Sequence, residues 1–401
     1  MTAGRATTLR PEVWDRFGWV ILVFAFAIGI EIRLNLIASE GFRDDLDQFV
    51  GWVHHIATNG LGSLYGRTDA GPVSFGPVMA YIWSVLAAVQ PAFATVTDAS
   101  DPAIRALMKA PAAIADLGLA ALIAVALRAD KRLAVLAATG ILVHPAVVDI
   151  SAWWGQYESI FAFFGLAAVM AATRRRNGLA AVLIAVALCT KPQAIPFLVP
   201  LAAWFWAAGG ARELVRTGLI GLGTLTVLWL PFIPAGGPIG YLANLATYQT
   251  DIFNILSLRA WNGWWLVQEA AVGGSFIADD VPFLGPLTLR HVGYAVTGLV
   301  SLWIAIRIIR DPRPRTLILG VAASVLVFFA FMTQMHERYA YAALIVLALL
   351  FGEMRMRWLW VALGVVFTLN LLAAVPPTPE IRELLPVAGP LGMAGSVAML
   401  A

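Results

Sequence analysis

Charged residues are scarce in this chain of 401 residues. Only 13% of the residues are charged, whereas 60% are hydrophobic, and soluble domains usually contain about 25% charged residues. The formal net charge is +3, and the few cations are spread along the chain. Because nucleic-acid-binding proteins concentrate positive charge on one surface, this distribution argues against a nucleic-acid partner. The composition predicts a polytopic membrane protein in contact with membrane lipids.

Three other signals are missing or nearly so. The single cysteine, Cys189, lies inside an apolar run, which excludes an internal disulfide bond. No glycine-rich phosphate-binding loop and no HExxH motif occurs, so the common sequence signals for a nucleotide or a catalytic zinc ion are lacking. No small-residue cleavage site accompanies the first apolar run, so we expect that run to be retained as a membrane span.

Apolar runs long enough to span a membrane recur along the chain. Twelve such runs are found, and a weaker segment near the C-terminus would be a thirteenth. The twelve runs cover residues 17–38, 76–96, 106–127, 132–150, 158–173, 178–190, 193–208, 215–233, 289–309, 315–334, 338–352 and 356–374. We therefore expect an all-α integral membrane protein with about 12–13 transmembrane helices, which form one domain over residues 1–401.

Basic residues divide the connections between these runs into two sets. Of the 27 Arg and Lys residues, 17 lie before the first run or in alternate later connections, whereas all five histidines lie in the other set. The positive-inside rule then places the N-terminus and the basic connections in the cytoplasm. We expect the functional site on the opposite, extracytoplasmic face.

The first extracytoplasmic loop, residues 39–75, contains the densest group of ionisable side chains. Asp44, Asp45 and Asp47 begin a predicted amphipathic helix that ends at Asn59-Gly60. The apolar stripe of this helix consists of Phe49, Trp52, Val53 and Ile56. Such a helix beside a span should lie in the membrane interface, where its carboxylates could act on a lipid-borne substrate. The long loop 234–288 is also expected to contain interfacial helices.

Polar side chains at membrane depth are costly and are therefore functional candidates. Here they gather at the extracytoplasmic ends of the apolar runs. They are Arg33, Asp44, Asp45, Asp47, Lys109, Asp116, His144, Gln156, Glu158, Lys191, Gln193, His336, Glu337 and Arg338. Prolines follow His144 and Lys191, and proline ends helices and leaves backbone groups available to line a cavity. These features predict one polar crevice.

Four segments resemble, in the same order, those of the GT-C glycosyltransferases, multispan enzymes that take a sugar from a polyprenyl-phosphate carrier. They are Asp45-Leu46 with Phe49, Trp52 and Phe75-Gly76-Pro77; His144-Pro145 with Trp153-Trp154-Gly155-Gln156-Tyr157-Glu158; Lys191-Pro192-Gln193; and His336-Glu337-Arg338-Tyr339. Among these enzymes, the chain resembles bacterial mannosyltransferase-like proteins and dolichyl-phosphate-glucose-dependent glucosyltransferases. Phe75-Gly76-Pro77 stands where Tyr-Pro-Pro is usual, and Glu158 stands where Asp is usual.

The resemblance implies an inverting transfer of mannose or glucose to a lipid-linked or cell-envelope glycan, in a bacterial plasma membrane. It implies that Asp45 is the catalytic base and that His336, Arg338 and Lys191 bind the donor phosphate. Candidate contacts to the sugar or the acceptor are Asp44, Asp47, Trp154, Gln156, Glu158 and Gln193. A weaker match in the long loop includes Arg259, which could contact a lipid headgroup.

Several alternatives stay open. The three aspartates could cap their helix, and Arg338 could pair with Glu337. Lys109 could supply a second phosphate contact, with Asp116 as its structural partner.

His54 and His55 diverge by about 100° on a helix, so we expect no metal ion, and we expect no other cofactor. A secondary transporter or flippase of lipid-linked sugars is the alternative function, although such proteins favour internal repeats and sites near the bilayer midplane. A non-catalytic subunit with a transferase fold is a third possibility.

Overall fold

The apolar runs fold into helices in the computed structural model, which describes residues 11–401. The helices of the first half are α1 (Pro11–Leu36), α2 (Arg43–Asn59), α3 (Pro77–Val89), α4 (Pro102–Ala126), α5 (Lys131–Val143), α6 (Pro145–Val148), α7 (Glu158–Thr173), α8 (Asn177–Leu188) and α9 (Leu198–Trp229). The remaining helices are α10 (Gly237–Thr247), α11 (Gly263–Val272), α12 (Leu289–Arg310), α13 (Pro314–Phe331), α14 (Tyr341–Leu347), α15 (Met354–Ala374), α16 (Pro379–Leu384) and α17 (Pro390–Leu400). Two π-helical segments, Asp149–Trp154 and Tyr248–Ile252, lie between them.

Four short strands form two small sheets. They are β1 (Ser257–Leu258), β2 (Pro282–Leu284), β3 (Leu287–Thr288) and β4 (Met335–His336). β1 pairs in parallel with β4, and β2 pairs antiparallel with β3. The first pair joins the long loop to the segment after α13, and thereby sets the position of His336.

The helical architecture confirms the predicted all-α class, and several helices could span a membrane. Within residues 11–401, six helices are long and apolar enough to cross a membrane, or seven if the bent pair Lys131–Val143 and Pro145–Trp154 forms one span. Shorter apolar helices of 10–17 residues cover several other predicted runs. The count of 12–13 spans and the orientation stay predictions, and Arg5 and Arg10, two of the cations used for orientation, lie outside the described residues.

Helix α2 confirms the predicted helix of the first loop. It ends at Asn59, and Gly60 follows with φ +85°. The aspartates do not cap it, because the N-cap residue is Phe42 and no side chain caps this end, so that alternative is wrong. The apolar stripe packs against the protein: Phe49 contacts Phe75, Trp83 and Tyr157.

Asp116 on α4 pairs with Arg33 on α1. Nε and Nη2 of Arg33 lie 2.9 and 2.7 Å from Oδ2 of Asp116, and both side chains are buried. The expected pairing with Lys109 is wrong, because Nζ of Lys109 instead donates to the carbonyl oxygen of Ser39 at 2.9 Å. The segment that follows α1 supplies the hydrogen-bond acceptor of Lys109, whereas α1 itself supplies the partner of Asp116.

The same carboxylate holds the segment between α6 and α7. Asp116 accepts hydrogen bonds from Ser151, at 2.5 Å, and from Ser159, and Tyr341 of α14 adds a bond at 3.3 Å. Ser151 and Ser159 lie on either side of residues 154–158. The Arg33–Asp116 pair therefore anchors the segment that contains three of the predicted site residues.

We predict that Arg33→Ala lowers the thermal stability of the detergent-purified protein markedly. Removing one partner of a buried ion pair leaves the other charge unpaired, at a cost of about 3–5 kcal/mol. The matched control is Arg315→Ala, which breaks the exposed pair with Glu353 and should cost about 0–1 kcal/mol. Thermal unfolding, monitored by tryptophan fluorescence, measures the effect. Equal shifts of the unfolding midpoint in the two variants would contradict the prediction.

Candidate active site

A cavity of about 470 Å³ brings the four resembling segments together. Its walls come from α2, the turn between Asp149–Trp154 and α7, the turn after α8, the long loop and the segment after β4. Seven predicted site residues line it, namely Asp45, Trp154, Gln156, Lys191, Gln193, His336 and Arg338. These residues are up to almost 300 positions apart in the chain, so the fold alone makes them neighbours.

Asp45 presents one carboxylate oxygen to the cavity. Its Oδ2 accepts hydrogen bonds from Nε1 of Trp154 at 2.8 Å and from Nε2 of Gln156 at 2.5 Å. No described residue donates to Oδ1. The two donors hold the carboxylate in place, and Oδ1 is available to accept a proton from a bound hydroxyl group.

A glycine shapes the turn that supplies both donors. Gly155 has φ +93°, a conformation that costs little only for glycine. A Cβ atom here would lie 2.6 Å from Cδ2 of Leu46, the residue that follows Asp45. The absence of a side chain therefore lets α2 approach the turn closely enough for Trp154 and Gln156 to reach Asp45.

Lys191 and Arg338 share one buried carboxylate, that of Glu158. Oε1 of Glu158 lies 2.5 Å from Nζ of Lys191 and 3.2 Å from Nε of Arg338. Glu158 is 0% exposed and does not line the cavity. Its position behind the two cations is that of a counter-ion, whereas the sequence predicted a contact to the sugar or the acceptor.

His336 is held as a neutral hydrogen-bond donor. Nη1 of Arg338 lies 3.1 Å from Nδ1 of His336 and 2.9 Å from Oε1 of Glu337, so the expected Arg338–Glu337 pair is present. A guanidinium group can only donate, so Nδ1 accepts and the ring proton is on Nε2. Burial, and then the charges of Arg338 and Lys191, lower the pKa of His336 well below its ordinary value.

Aromatic rings support the two cations. The guanidinium carbon of Arg338 lies 5.1 Å from the centre of a Trp154 ring and 5.6 Å from that of Tyr339. Nζ of Lys191 lies 5.1 Å from the centre of the Phe75 ring. Trp154 is 1% exposed and its ring packs against Arg338, while its predicted contact to the sugar stays a prediction.

The Phe75-Gly76-Pro77 turn is docked directly beside Lys191. The amide nitrogen of Gly76 donates to the carbonyl oxygen of Thr190 at 3.1 Å. A Cβ atom on Gly76 would collide with the backbone of Cys189, so this close approach requires glycine. Glycine in place of the first proline of the usual Tyr-Pro-Pro sequence therefore allows the turn to pack tightly against Cys189.

Two predicted contacts lie away from the cavity. Asp44 is exposed on the other side of α2. Asp47 accepts from the amide nitrogen of Ala99 at 2.7 Å and pairs with Arg43 at 2.9 Å, so it anchors a neighbouring loop. The structure does not bring either residue to the site.

The histidines considered for a metal site contact protein atoms instead. Nδ1 of His54 lies 2.9 Å from the carbonyl oxygen of Phe93, and Nε2 of His55 lies 3.0 Å from Oγ of Ser63. His144 caps α6 through the amide nitrogen of Ala146. Within residues 11–401, no three His, Cys, Asp or Glu side chains are grouped closely enough to hold a metal ion.

Sequence reasoning missed several lining residues. They are Gln48, Ser74, Gln249 and Gln334. Gln48 could have been found, because it follows Asp45 by three residues and shares its helix face. The long loop places the Phe253 ring 4.8 Å from that of His336, a contact that no sequence pattern announces.

Residues 75–376 match the model of the ALG6, ALG8 glycosyltransferase family. The chain belongs to this family. The match includes the second, third and fourth resembling segments, whereas Asp45 precedes it. Membership in this family identifies the chain as a glycosyltransferase and favours an enzyme over a transporter. A search of the curated proteins found no match.

A solved structure with the same fold is that of ArnT from Cupriavidus metallidurans bound to undecaprenyl phosphate. The alignment has a TM-score of 0.55 and 16% identity, and it covers 96% of this chain and 76% of the ArnT chain. At this identity the likeness shows a common fold only. It confirms the GT-C fold that the sequence predicted.

We predict that Gly155→Ala impairs both thermal stability and sugar transfer. The variant is strained by its positive φ and also overpacks Leu46, which adds about 1–3 kcal/mol. Gly60→Ala is the matched control, because Gly60 has φ +85° and has no atom within 4 Å of a Cβ position. Equal losses of stability and activity in the two variants would show that close packing at Gly155 does not matter.

Proposed function

We propose that this chain is an inverting hexosyltransferase that uses a polyprenyl-phosphate-linked sugar. The sugar would be mannose or glucose, and the acceptor would be a lipid-linked or cell-envelope glycan. The observation that carries the proposal is that one cavity is lined by Asp45, whose Oδ1 has no donor among the described residues, and by Lys191, His336 and Arg338. Family membership supports sugar transfer as the reaction.

In the proposed reaction, an acceptor hydroxyl attacks the anomeric carbon of the sugar. As the new carbon–oxygen bond forms, the bond from that carbon to the carrier phosphate breaks, and its electron pair leaves with the polyprenyl phosphate. The hydroxyl proton moves to Oδ1 of Asp45 and then to water. A single displacement of this kind inverts the anomeric centre.

Lys191, Arg338 and His336 would stabilise the leaving phosphate. The phosphate gains negative charge as the bond breaks, and preorganised cations and hydrogen-bond donors stabilise such charge most strongly in a water-poor site. Lys191 and Arg338 are already held by Glu158 before the donor binds. Nε2 of His336 would add a neutral donor.

Adjoining apolar cavities support a lipid carrier. A cavity of about 330 Å³ shares Gln193, Gln249, Gln334 and Tyr339 with the site. A further cavity of about 420 Å³ shares Tyr294, Phe328 and Met332 with that second cavity and is lined by α9, α12 and α13. We propose that the polyprenyl chain leaves the site along this route. Undecaprenyl phosphate, the molecule bound in the ArnT structure, belongs to the same chemical class.

The proposed site faces the extracytoplasmic side. Its lining comes from the connections that lack the clusters of Arg and Lys residues, and the positive-inside rule assigns those connections to the outer face. Because nucleotide-linked sugars are cytoplasmic, a lipid-linked donor is consistent with a site on that face. The integral membrane location itself agrees with the apolar helices.

We predict that Asp45→Asn abolishes sugar transfer in proteoliposomes that contain polyprenyl-phosphate-mannose or polyprenyl-phosphate-glucose and a mixed pool of envelope lipids. Loss of the general base should lower kcat by about a hundredfold or more, while donor binding is retained. The matched control is Asp44→Asn, which changes an exposed neighbour outside the cavity and should keep full activity.

Other outcomes of this assay would redirect the assignment. Full activity of a folded Asp45→Asn would exclude Asp45 as the base. If the parent protein consumes neither donor, the sugar is a different one, and transport of each labelled lipid across the bilayer should then be measured. Transport without transfer would favour the flippase alternative.

We also predict that the donor KM rises as the pH is raised from 7 to 9. Burial lowers the pKa of Lys191 to about 8, although the charge of Glu158 offsets part of this effect. The ammonium group therefore loses its proton as the pH passes through this value, and its attraction for phosphate is lost. Lys191→Arg stays charged, so its donor KM should change less, and parallel pH profiles of the two proteins would contradict this role.

A further inference from the structure

Arg259 lies at the mouth of the same cavity. It lines the cavity beside Leu258, Ala374 and Val375, and its side chain is exposed. Its backbone has φ +57°, an uncommon conformation for a residue other than glycine. Such conformations persist where the surrounding structure maintains them, and they cluster at functional sites.

The backbone of Arg259 is tied to that of His336. Leu258 of β1 pairs with His336 of β4, and Arg259 forms an additional bridge to the same residue. The carbonyl oxygen of Arg259 also accepts a hydrogen bond from Nδ2 of Asn370 at 2.8 Å. These contacts fix the backbone of Arg259 relative to the proposed phosphate site.

The charge of Arg259 is not neutralised by a neighbouring carboxylate. Lys191 pairs with Glu158, and Arg338 pairs with Glu158 and Glu337. Among the residues that the structure describes, no carboxylate lies within 4.0 Å of Arg259. Its one side-chain hydrogen bond to a described residue is from Nη1 to the carbonyl oxygen of Ala374, at 3.0 Å. Other N–H groups of the guanidinium are therefore available to a ligand.

We propose that Arg259 is a third cationic ligand-binding residue, which binds a phosphate group at the cavity mouth. The inference rests on the proposed function. Lys191 and Arg338 are paired with carboxylates, so Arg259 would add a positive charge that no carboxylate offsets. A guanidinium group suits this task because it binds two phosphate oxygens at once. The phosphate belongs either to the donor carrier or to a lipid-linked acceptor.

The test compares three probes with the full chain in nanodiscs of neutral phosphatidylcholine. The probes are polyprenol, polyprenyl phosphate and polyprenyl diphosphate, all with the same chain. Arg259→Gln removes the charge but keeps an N–H group for Ala374, and Arg259→Lys keeps the charge. Arg382→Gln is the matched control, because Arg382 is exposed on the nearby α16 and does not line the cavity.

We expect Arg259→Gln to weaken binding of polyprenyl phosphate about tenfold, the usual size for loss of a charge-assisted hydrogen bond. Binding of polyprenol should be unchanged, Arg259→Lys should retain most of the affinity, and Arg382→Gln should match the parent. If Arg259→Gln weakens binding of polyprenyl diphosphate but not of polyprenyl phosphate, the phosphate that Arg259 contacts belongs to a lipid diphosphate such as a lipid-linked acceptor.

Three results would overturn the inference in different ways. If the parent prefers phosphate over polyprenol and Arg259→Gln keeps this preference for both phosphate probes, Arg259 does not bind phosphate. The same holds if Arg259→Lys is as weak as Arg259→Gln, because the loss would then reflect packing. If the parent itself does not distinguish polyprenyl phosphate from polyprenol, the proposed function fails together with the inference.

Discussion

A charge buried inside a membrane protein must have a partner, and this constraint organises the structure around Asp116. The carboxylate receives Arg33 from α1, Ser151 and Ser159 from either side of the site segment, and Tyr341 from α14. Few arrangements of these helices satisfy all the contacts at once. The segment of residues 154–158 therefore takes its position from an ion pair that does not touch the cavity.

From that segment, polar contacts connect the proposed base to the proposed phosphate site. The amide of Gln156 donates to Asp45 and accepts from Lys191, and Glu158 joins Lys191 to Arg338. Each contact restricts the next side chain, so the carboxylate and the cations are held in one connected set before a substrate binds. Electrostatic stabilisation of this preorganised kind requires little rearrangement during the reaction. The cavity is thus suited to transfer between two bound substrates.

The sequence predicted some parts of this arrangement and missed others for identifiable reasons. The helix over Arg43–Asn59 was predictable because its 3.6-residue pattern and its terminal glycine are local signals. The grouping of Asp45 with Arg338 came from a resemblance in segment order. The proposed Lys109–Asp116 pair was wrong because each residue has a closer partner outside α4, Ser39 for Lys109 and Arg33 for Asp116. Glu158 was predicted to contact the sugar or the acceptor because the sequence does not show that Lys191 and Arg338 converge on its carboxylate.

The membrane class, the all-α fold and seven of the residues that line the cavity could be predicted from the sequence alone. Hydrophobic length, periodicity and helix-ending residues act between neighbours in the chain, so they can be recognised without a structure. Only the tertiary structure decided that Asp45, and neither Asp44 nor Asp47, faces the cavity, and that Glu158 lies behind two cations. It also showed that Arg259 has no carboxylate partner among the described residues. These properties depend on distances between distant segments, which the packing of the helices sets.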